Sequence, residues 1–225
     1  MGEQGANSRR KHRVVMIDDH PLLRHGMGQL IGLEKDLEVV GEADTAEQGL
    51  RLLSAGNVDL AIVDISLTDG SGIELIKAIR ARHPSTVVLV VSMHDEVVYA
   101  ERALRAGARG YLMKHEAPKR IVRAISEVLS GGIALSDAMR VRLLERYTHT
   151  PGGIPANPLD VLTDRELEVF RLIGEGLKKS EIARRIRRSV NTVEAHRTSI
   201  KRKLNLKSGT ELARVAYQSL EESRR

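Results

Sequence analysis

The sequence predicts two domains: an α/β domain with a doubly wound, five-stranded parallel sheet, and then an all-α domain of four short helices. Three observations support this division. Short apolar runs alternate with helix-like segments over residues 13–131, whereas residues 161–221 contain helix-like segments only. Between the two lies a stretch that is rich in proline and glycine, so we interpret residues 132–160 as a linker helix followed by a Pro/Gly-rich linker. Residues 1–12 are polar and basic, and we expect a flexible tail there.

Five short segments rich in valine, isoleucine and leucine predict the strands of the sheet. Continuous apolar runs of this length are typical of parallel strands that are buried on both faces. The predicted strands cover residues 14–17, 37–41, 59–63, 86–91 and 109–112.

Helices are predicted in the intervals between the strands. Pro21 suits the first turn of a helix, since the missing amide hydrogen has no partner there. Glycines after the second and fourth segments and His83-Pro84 after the third are typical helix ends. The predicted helices cover residues 21–32, 45–55, 70–82, 95–106 and 117–129, and one more is predicted over residues 136–147.

The second domain begins with a helix start signal. Thr163 and Glu166 have the spacing of a capping box, in which each side chain satisfies a free backbone amide. A tight turn at residues 187–189 separates two of the helices, as in a helix-turn-helix bundle. The predicted helices run from 164 to about 174, from 180 to 186, from 190 to 204 and from 208 to 220.

Charge is distributed unevenly between the two parts. Residues 1–150 contain 20 Lys/Arg and 20 Asp/Glu, so the whole net charge of +6 lies in residues 151–225. Residues 178–207 contain 11 basic residues against two acidic ones. This basic segment favours a polyanion as partner. Only five aromatic residues are present, which argues against recognition of single strands by base stacking.

Other function classes are excluded by composition. The chain has no cysteine, so thiolate chemistry, disulfides and cysteine-bound zinc are excluded. No apolar run approaches the roughly 18 residues of a membrane helix. We therefore expect a cytoplasmic protein with no membrane partner. His12, His94 and His115 lack a metal-ligand spacing and are expected at the surface.

Polar residues follow the ends of four strands. Asp18 and Asp19 follow the first strand, Asp64 the third, Ser92 the fourth and Lys114 the fifth. Each of the three aspartates taken singly is also explained as a helix cap or a solvated loop residue. In a right-handed doubly wound sheet we expect the first, third and fifth strands to neighbour one another at the centre, so their carboxyl ends would share one crevice.

The combination of these side chains predicts a phosphoryl-transfer site. Carboxylates that lie close together repel unless a cation holds them, and Mg²⁺ prefers such oxygen ligands. With that charge neutralised, one carboxylate can attack a phosphoryl group. Ser92 and Lys114 would then contact the phosphoryl oxygens.

The Asp18-Asp19 pair, Asp64, Ser92 and Lys114 resemble the receiver domain of two-component response regulators, a flavodoxin-like fold, over about residues 13–130. The resemblance implies that Asp64 is the phosphoacceptor and that a histidine kinase is the phosphodonor. It implies Mg²⁺ as cofactor, held by Asp18, Asp19 and Asp64 together with the backbone carbonyl of Ser66.

The resemblance also implies two switch residues, the hydroxyl of Ser92 and the aromatic side chain of Tyr111. Without the resemblance, Tyr111 is equally well explained as a half-buried strand residue. One departure is Thr68, which stands where receivers usually have proline. That departure concerns only the loop conformation.

The longest basic helix suits a DNA major groove. Val193, Ile200 and Leu204 fall on one face and are expected to pack on the bundle. Hydrogen-bonding residues near the helix start could reach base edges, and the later cations could reach phosphates. Glu194 could accept from a cytosine amino group or pair with a nearby cation. The predicted DNA contacts are Lys178, Lys179, Arg188, Asn191, Thr192, Glu194, Ala195, Arg197, Thr198, Lys201 and Arg202.

Residues 159–220 closely resemble the LuxR-type helix-turn-helix, on the motifs at 162–166, 176–177, 181–183, 192–196 and 203–204. The whole chain thus resembles a response regulator of the NarL/FixJ type. The resemblance implies a transcription regulator, not an enzyme, that binds double-stranded DNA under the control of Asp64. It implies a homodimer in the active state, matching paired half-sites, and RNA polymerase as a further partner.

Three other functions use some of the same residues or the same fold. A Mg²⁺-dependent aspartyl phosphatase shares the carboxylates, but it would need an acid two residues after the nucleophile, where Ser66 stands. A constitutive DNA-binding protein could use the receiver only for docking or dimerisation. Dinucleotide binding is set aside, because the first strand leads into Asp18-Asp19 and not into a glycine-rich turn.

Overall fold

The computed structural model of the protein describes residues 10–148 and 158–222, without the side chains of residues 146–148. The predicted flexible tail, apart from residues 10–12, and the middle of the predicted linker lie outside the described residues. The first strand begins at His12, one residue inside the predicted tail. None of the helices in the described ranges is long and apolar enough to cross a membrane.

The first domain is the predicted five-stranded parallel sheet with helices on both faces. Two further short strands, β4 (Ser66–Leu67) and β5 (Gly70–Ser71), form a small antiparallel pair after β3. The strands of the main sheet are β1 (His12–Ile17), β2 (Leu37–Ala43), β3 (Leu60–Val63), β6 (Val87–Ser92) and β7 (Gly110–Met113), in the spatial order β2-β1-β3-β6-β7. Their helices are α1 (Pro21–Gly32), α2 (Ala46–Ala55), α3 (Gly72–Arg82), α4 (Glu96–Ala106) and α5 (Ala117–Leu129).

The expected position of the fifth strand is wrong. Strands β1 and β3 are neighbours near the middle of the sheet, but β7 is an edge strand, and β6 separates it from β3. Lys114, which follows β7, still reaches the crevice because its side chain is long. The strand that carries Ser92 therefore lies closer to Asp64 than the strand that carries Lys114.

Gly72 begins α3 directly against the loop that follows β3. Its amide donates to the carbonyl of Ile65 at 2.8 Å. A β-carbon at this position would overlap the backbone carbonyl of Asp64 and lie 2.7 Å from the α-carbon of Ile65. The absence of a side chain thus allows α3 to support the segment that presents Asp64.

The linker helix and the second domain have the predicted elements. Helix α6 (Asp137–Thr148) follows the first domain, and a 3₁₀ turn at Pro158–Val161 leads into the second. Its four helices are α7 (Asp164–Gly174), α8 (Lys179–Arg185), α9 (Val190–Lys203) and α10 (Gly209–Glu222). The capping box of Thr163 and Glu166 is present at the start of α7.

Helix α7 is covered on all sides. Its polar residues Glu166, Glu168 and Arg171 are buried, as are its apolar residues Leu167 and Phe170. A helix that is buried around its whole circumference needs neighbours on every face. Helices α9 and α10 cover one side, and the first domain covers the other.

Candidate functional site

A buried ammonium joins two aspartates at the carboxyl end of the sheet. Lys114 Nζ lies 2.9 Å from Asp64 Oδ2 and 2.9 Å from Asp18 Oδ1. Asp64 and Asp18 are 2% exposed, and Lys114 is 4% exposed. The crevice expected from the strand ends is therefore formed, with one cation between two carboxylates.

The buried carboxylates of this crevice need positive charge nearby to stay ionised. Burial raises the pKa of Asp64, the Lys114 ammonium lowers it, and the Asp18 carboxylate raises it again, with a net increase. A buried carboxylate keeps its charge only where opposite charge compensates it. One ammonium serves both Asp18 and Asp64, so a further cation would stabilise the ionised site.

The donor atoms fit a divalent metal ion. Asp18, Asp19, His20 and Asp64 each offer one ligand atom, and these atoms lie within 4.8 Å of one another. The buried oxygen Asp64 Oδ1 accepts no hydrogen bond from the residues that the structure describes. Oxygen donors of this kind suit Mg²⁺. Ser66 stands two residues after Asp64, at the start of β4, and its carbonyl stays a predicted ligand.

The two predicted switch residues meet beside Asp64. Ser92 is fully buried, and its hydroxyl acts to lower the pKa of Asp64, against the larger effect of burial. Tyr111 is 1% exposed, so it is more deeply buried than the half-buried strand residue considered above. Its hydroxyl donates to the backbone carbonyl of His94 at 2.8 Å. Burial raises the pKa of Tyr111 well above 10, which keeps this donor protonated.

His94 is of intermediate exposure and so less accessible than expected, whereas His12 and His115 are exposed as expected. The His94 imidazole forms a hydrogen bond with the Ser66 hydroxyl, and its ring centroid lies 5.0 Å from that of Tyr99. Burial lowers the pKa of His94 to about 3, and the charges of Arg171 and Lys114 contribute. His94 is thus a neutral bridge between the phosphoacceptor loop and α4.

Two residues at the crevice were missed by the sequence reasoning. His20 Nδ1 lies 2.8 Å from Asp19 Oδ1. Arg24 donates to the backbone carbonyl of Asp18 and forms an ion pair with Glu42 at 3.1 Å. Sequence position is the one signal that could have identified them as crevice residues. His20 directly follows the aspartate pair, and Arg24 lies one helical turn later.

In the second domain, α9 has the expected two faces. Val193 and Ile200 are fully buried against the bundle, and Leu204 packs partly against the same core. On the opposite face, Asn191, Ala195, Thr198 and Arg202 are exposed. The predicted base-reading face is therefore open in this structure.

The remaining predicted DNA contacts surround that face. Lys178, Lys179 and Arg188 are exposed, whereas Thr192, Glu194, Arg197 and Lys201 are of intermediate exposure. The side chain of Arg197 is 16% exposed, so most of its surface is already covered.

Glu194 pairs with a cation, which is one of the two alternatives considered above. Its carboxylate lies 2.6 Å from Lys179 Nζ and 3.9 Å from Arg197 Nε. The hydrogen bond from Lys179 lowers the pKa of Glu194. The pair connects the start of α8 to α9, and contact with a cytosine stays a prediction.

The first turn of α7 contacts the first domain through charged groups that the sequence reasoning also missed. Arg102, on α4, donates to the carbonyls of Leu159 and Leu162 at 2.8 and 2.9 Å, and it lies 3.1 Å from Asp164. Lys77, on α3, lies 2.6 Å from the same carboxylate. Burial would raise the pKa of Asp164, but its bonds with Lys77 and Arg102 outweigh burial and lower it.

The first turn of α7 also binds α9 through a second carboxylate. Glu166 accepts from Ser199 at 2.7 Å and from Lys203 at 2.6 Å. Burial would raise the pKa of Glu166, but hydrogen bonds from Lys203, Ser199 and Thr163 lower it to about 2. Two carboxylates on one helical turn therefore connect the first domain to the helix with the predicted DNA contacts.

Comparison with known proteins agrees with both halves of this description. The model of the family described as "Response regulator receiver domain" matches residues 14–126. The model described as "Bacterial regulatory proteins, luxR family" matches residues 160–216. The chain belongs to the NarL/FixJ-type response regulators. This family consists of transcription regulators.

Relatives of this response regulator match over almost their whole length. The nitrate/nitrite response regulator protein homolog of Haemophilus influenzae is 36% identical, over 88% of this chain and 92% of that protein. The nitrate/nitrite response regulator NarL of Escherichia coli is 35% identical, over 91% and 94%. The structure of RcsB from Salmonella enterica serovar Typhimurium, bound to promoter P1flhDC with a phosphomimetic, has 26% identity and a TM-score of 0.70, over 93% and 100%.

Proposed function

We propose that this response regulator is a phosphorylation-controlled transcription factor in which Asp64 accepts a phosphoryl group from a histidine kinase. The observation that carries the proposal is the buried Asp64–Lys114–Asp18 arrangement, in which one oxygen of Asp64 has no partner among the described residues. An aspartate that is already ion-paired and desolvated, with one oxygen left over, is suited to form one new bond.

In the transfer step, an Asp64 oxygen attacks the phosphorus of the kinase's phosphohistidine. An O–P bond forms, the P–N bond breaks, and its electron pair returns to the imidazole nitrogen of the kinase. Lys114 and Ser92 hydrogen-bond to the transferred phosphoryl oxygens. Asp18, Asp19, Asp64 and the Ser66 carbonyl would hold Mg²⁺, which when bound neutralises the charge on those oxygens.

The response passes from Ser92 and Tyr111 to the face of α4. Tyr111 is bonded to the backbone of His94, and His94 stacks near Tyr99. Tyr99 borders the contact with Leu167 and Arg171 of α7. Recruitment of Ser92 and Tyr111 by a phosphoryl group would disturb this packing and release α7, together with the DNA-binding domain.

The output is sequence-specific binding of double-stranded DNA through α9. Support comes from the exposed face at Asn191, Ala195, Thr198 and Arg202, and from the RcsB structure on promoter DNA. We propose that the active form is a homodimer on paired half-sites and that it acts together with RNA polymerase.

The test combines a small phosphodonor with Mg²⁺. Wild type, Asp64→Ala and the control Asp36→Ala are incubated with acetyl phosphate. Asp36 is an exposed aspartate directly before β2. Intact mass reports phosphorylation, and footprinting on genomic fragments reports DNA binding. We expect both responses in wild type and Asp36→Ala and neither in Asp64→Ala. Equal affinity with and without the donor would instead support a constitutive DNA-binding protein.

A further inference from the structure

His20 places an imidazole nitrogen among the carboxylates of the receiver crevice. It is the residue before α1, directly after the Asp18-Asp19 pair. Its Nδ1 atom lies 2.8 Å from Asp19 Oδ1, 3.2 Å from Asp18 Oδ1 and 3.9 Å from Asp64 Oδ2. One ring nitrogen is therefore close to all three carboxylates.

That nitrogen cannot satisfy all of its neighbours as a simple hydrogen-bonding group. Lys114 Nζ lies 3.2 Å from the same atom. If Nδ1 carries no hydrogen, it can accept from the Lys114 ammonium, but its lone pair then faces the Asp19 carboxylate. If Nδ1 carries a hydrogen, it can donate to Asp19, but that hydrogen then faces the ammonium. A cation between Nδ1 and the carboxylates would resolve the conflict with Asp19, since both groups would then act as its ligands.

The spacings are those of ligands around one ion. In octahedral coordination with bonds of about 2.1 Å, adjacent ligand atoms are about 3.0 Å apart and opposite ones about 4.2 Å. The distances from Nδ1 to Asp19 and Asp18, 2.8 and 3.2 Å, are near the value for adjacent ligands.

A second observation points to the same ion. Asp64 is 2% exposed, and its buried Oδ1 has no hydrogen-bond partner among the described residues. Lys114 occupies the other oxygen, Oδ2. The side chain of His20 is 56% exposed, so the ring can adjust to an incoming ion without repacking the core.

We propose that His20 is an additional metal ligand, so that this crevice binds divalent transition ions such as Mn²⁺, Co²⁺, Ni²⁺ or Zn²⁺ through an imidazole as well as carboxylates. Imidazole favours such ions over Mg²⁺, and their affinity for mixed N/O sites rises from Mn²⁺ towards Cu²⁺. The transition ion would then compete with Mg²⁺ at this site. The inference rests on the metal site of the proposed function.

Mn²⁺ tests the ligand directly. In pulsed EPR of the Mn²⁺-loaded full chain, we expect the ¹⁴N coupling of a bound imidazole in wild type and its loss in His20→Ala. His25→Ala, which removes an exposed histidine of α1, should keep the signal. A wild-type spectrum without this coupling, or a coupling that survives in His20→Ala, would overturn the proposal.

Calorimetry with Ni²⁺ and with Mg²⁺ measures the selectivity. Replacing groups that only support a metal ligand lowers affinity by about 10- to 100-fold, so loss of a direct ligand should weaken Ni²⁺ at least tenfold. The Ni²⁺/Mg²⁺ affinity ratio should fall in His20→Ala and in His20→Asn but not in His25→Ala. An unchanged ratio in both His20 variants would contradict the proposal.

Phosphorylation of the same samples separates this inference from the proposed function. If wild type accepts phosphate from acetyl phosphate with Mg²⁺ while His20→Ala leaves the Ni²⁺/Mg²⁺ ratio unchanged, only the role of His20 fails. If wild type accepts no phosphate at Asp64 from any donor but His20→Ala loses the ¹⁴N coupling, the proposed function fails and the metal site stands.

Discussion

The guanidinium of Arg102 in the receiver lies 3.1 Å from the carboxylate of Asp164, in the first turn of the DNA-binding domain. Both side chains are largely covered, at 13% and 25% exposure. Arg102 also bonds the carbonyls of Leu159 and Leu162, so one side chain holds the segment that enters α7. Together with Lys77, which lies 2.6 Å from the same carboxylate, Arg102 joins the two domains.

Arg102→Ala should shift the protein towards separated domains. Hydrogen bonds to charged groups contribute about 1.5–3 kcal/mol, which is roughly a 10- to 150-fold change in the docked-to-separated ratio. Small-angle scattering should show a larger radius of gyration, and amides 163–167 should exchange faster with deuterium. Arg105→Ala is the control, because Arg105 lies on the same helix and is 72% exposed. Unchanged scattering and exchange in Arg102→Ala would show that the contact does not hold the domains.

Glu166→Gln should destabilise the protein in a pH-dependent way. The folded pKa, about 2, is below the ordinary value of 4.5, so the stabilisation is present above pH 4.5 and is lost as the pH falls towards 2. At pH 7 we expect a loss of about 2–3 kcal/mol in the free energy of unfolding. Denaturant titrations between pH 3 and 7 should show the difference from wild type shrinking at low pH. Glu222→Gln, at the exposed end of α10, is the control, and a pH-independent difference would argue against the ion pair with Lys203.

Gly72→Ala should damage the phosphoacceptor loop. The added methyl group would overlap the Asp64 carbonyl, so the backbone must move. Overpacking of this kind costs about 1–3 kcal/mol. We expect a lower melting temperature and slower phosphorylation by acetyl phosphate. Gly70→Ala provides the comparison, because a β-carbon there meets nothing within 4 Å. Equal phosphorylation rates in the two variants would contradict this role of Gly72.

Tyr111→Phe should separate phosphorylation from the response. The variant removes the donor to the His94 carbonyl, which should lower the free energy of unfolding by about 1–2 kcal/mol. Phosphate incorporation by mass should stay close to wild type, while the gain in DNA affinity on phosphorylation falls. Tyr217→Phe, with an exposed tyrosine on α10, should behave as wild type. A full affinity gain in Tyr111→Phe would exclude Tyr111 as a switch.

Asn191→Ala and Arg202→Ala should weaken DNA binding in different ways. Asn191 lies in the first turn of α9 and Arg202 in the last, and both are exposed. A base contact is worth about 1–3 kcal/mol on specific DNA only. Loss of a phosphate contact should lower the slope of log affinity against log salt by about 1 on every sequence. Anisotropy titrations at several salt concentrations distinguish them, and identical salt slopes in Arg202→Ala and wild type would remove Arg202 from the phosphate contacts.

Most helices and strands and most residues of the crevice follow from patterns in the sequence. Apolar runs are long enough only for buried strands, and parallel strands bring the residues at their carboxyl ends to one edge. The sequence pattern therefore places Asp18, Asp64 and Lys114 together. The helical spacing of Val193 and Ile200 likewise predicts which face of α9 is exposed.

Contacts between surfaces that are distant in sequence do not follow from such patterns. The order of the strands decides the edge position of β7 and the approach of His20 to the carboxylates. Packing against other elements decides the partial burial of His94, and the docking of the domains decides the Arg102–Asp164 contact. Local sequence patterns show which face of a helix or strand is apolar, but they do not show which polar group will contact a given side chain. Those pairings arise only when the packed core brings the surfaces together.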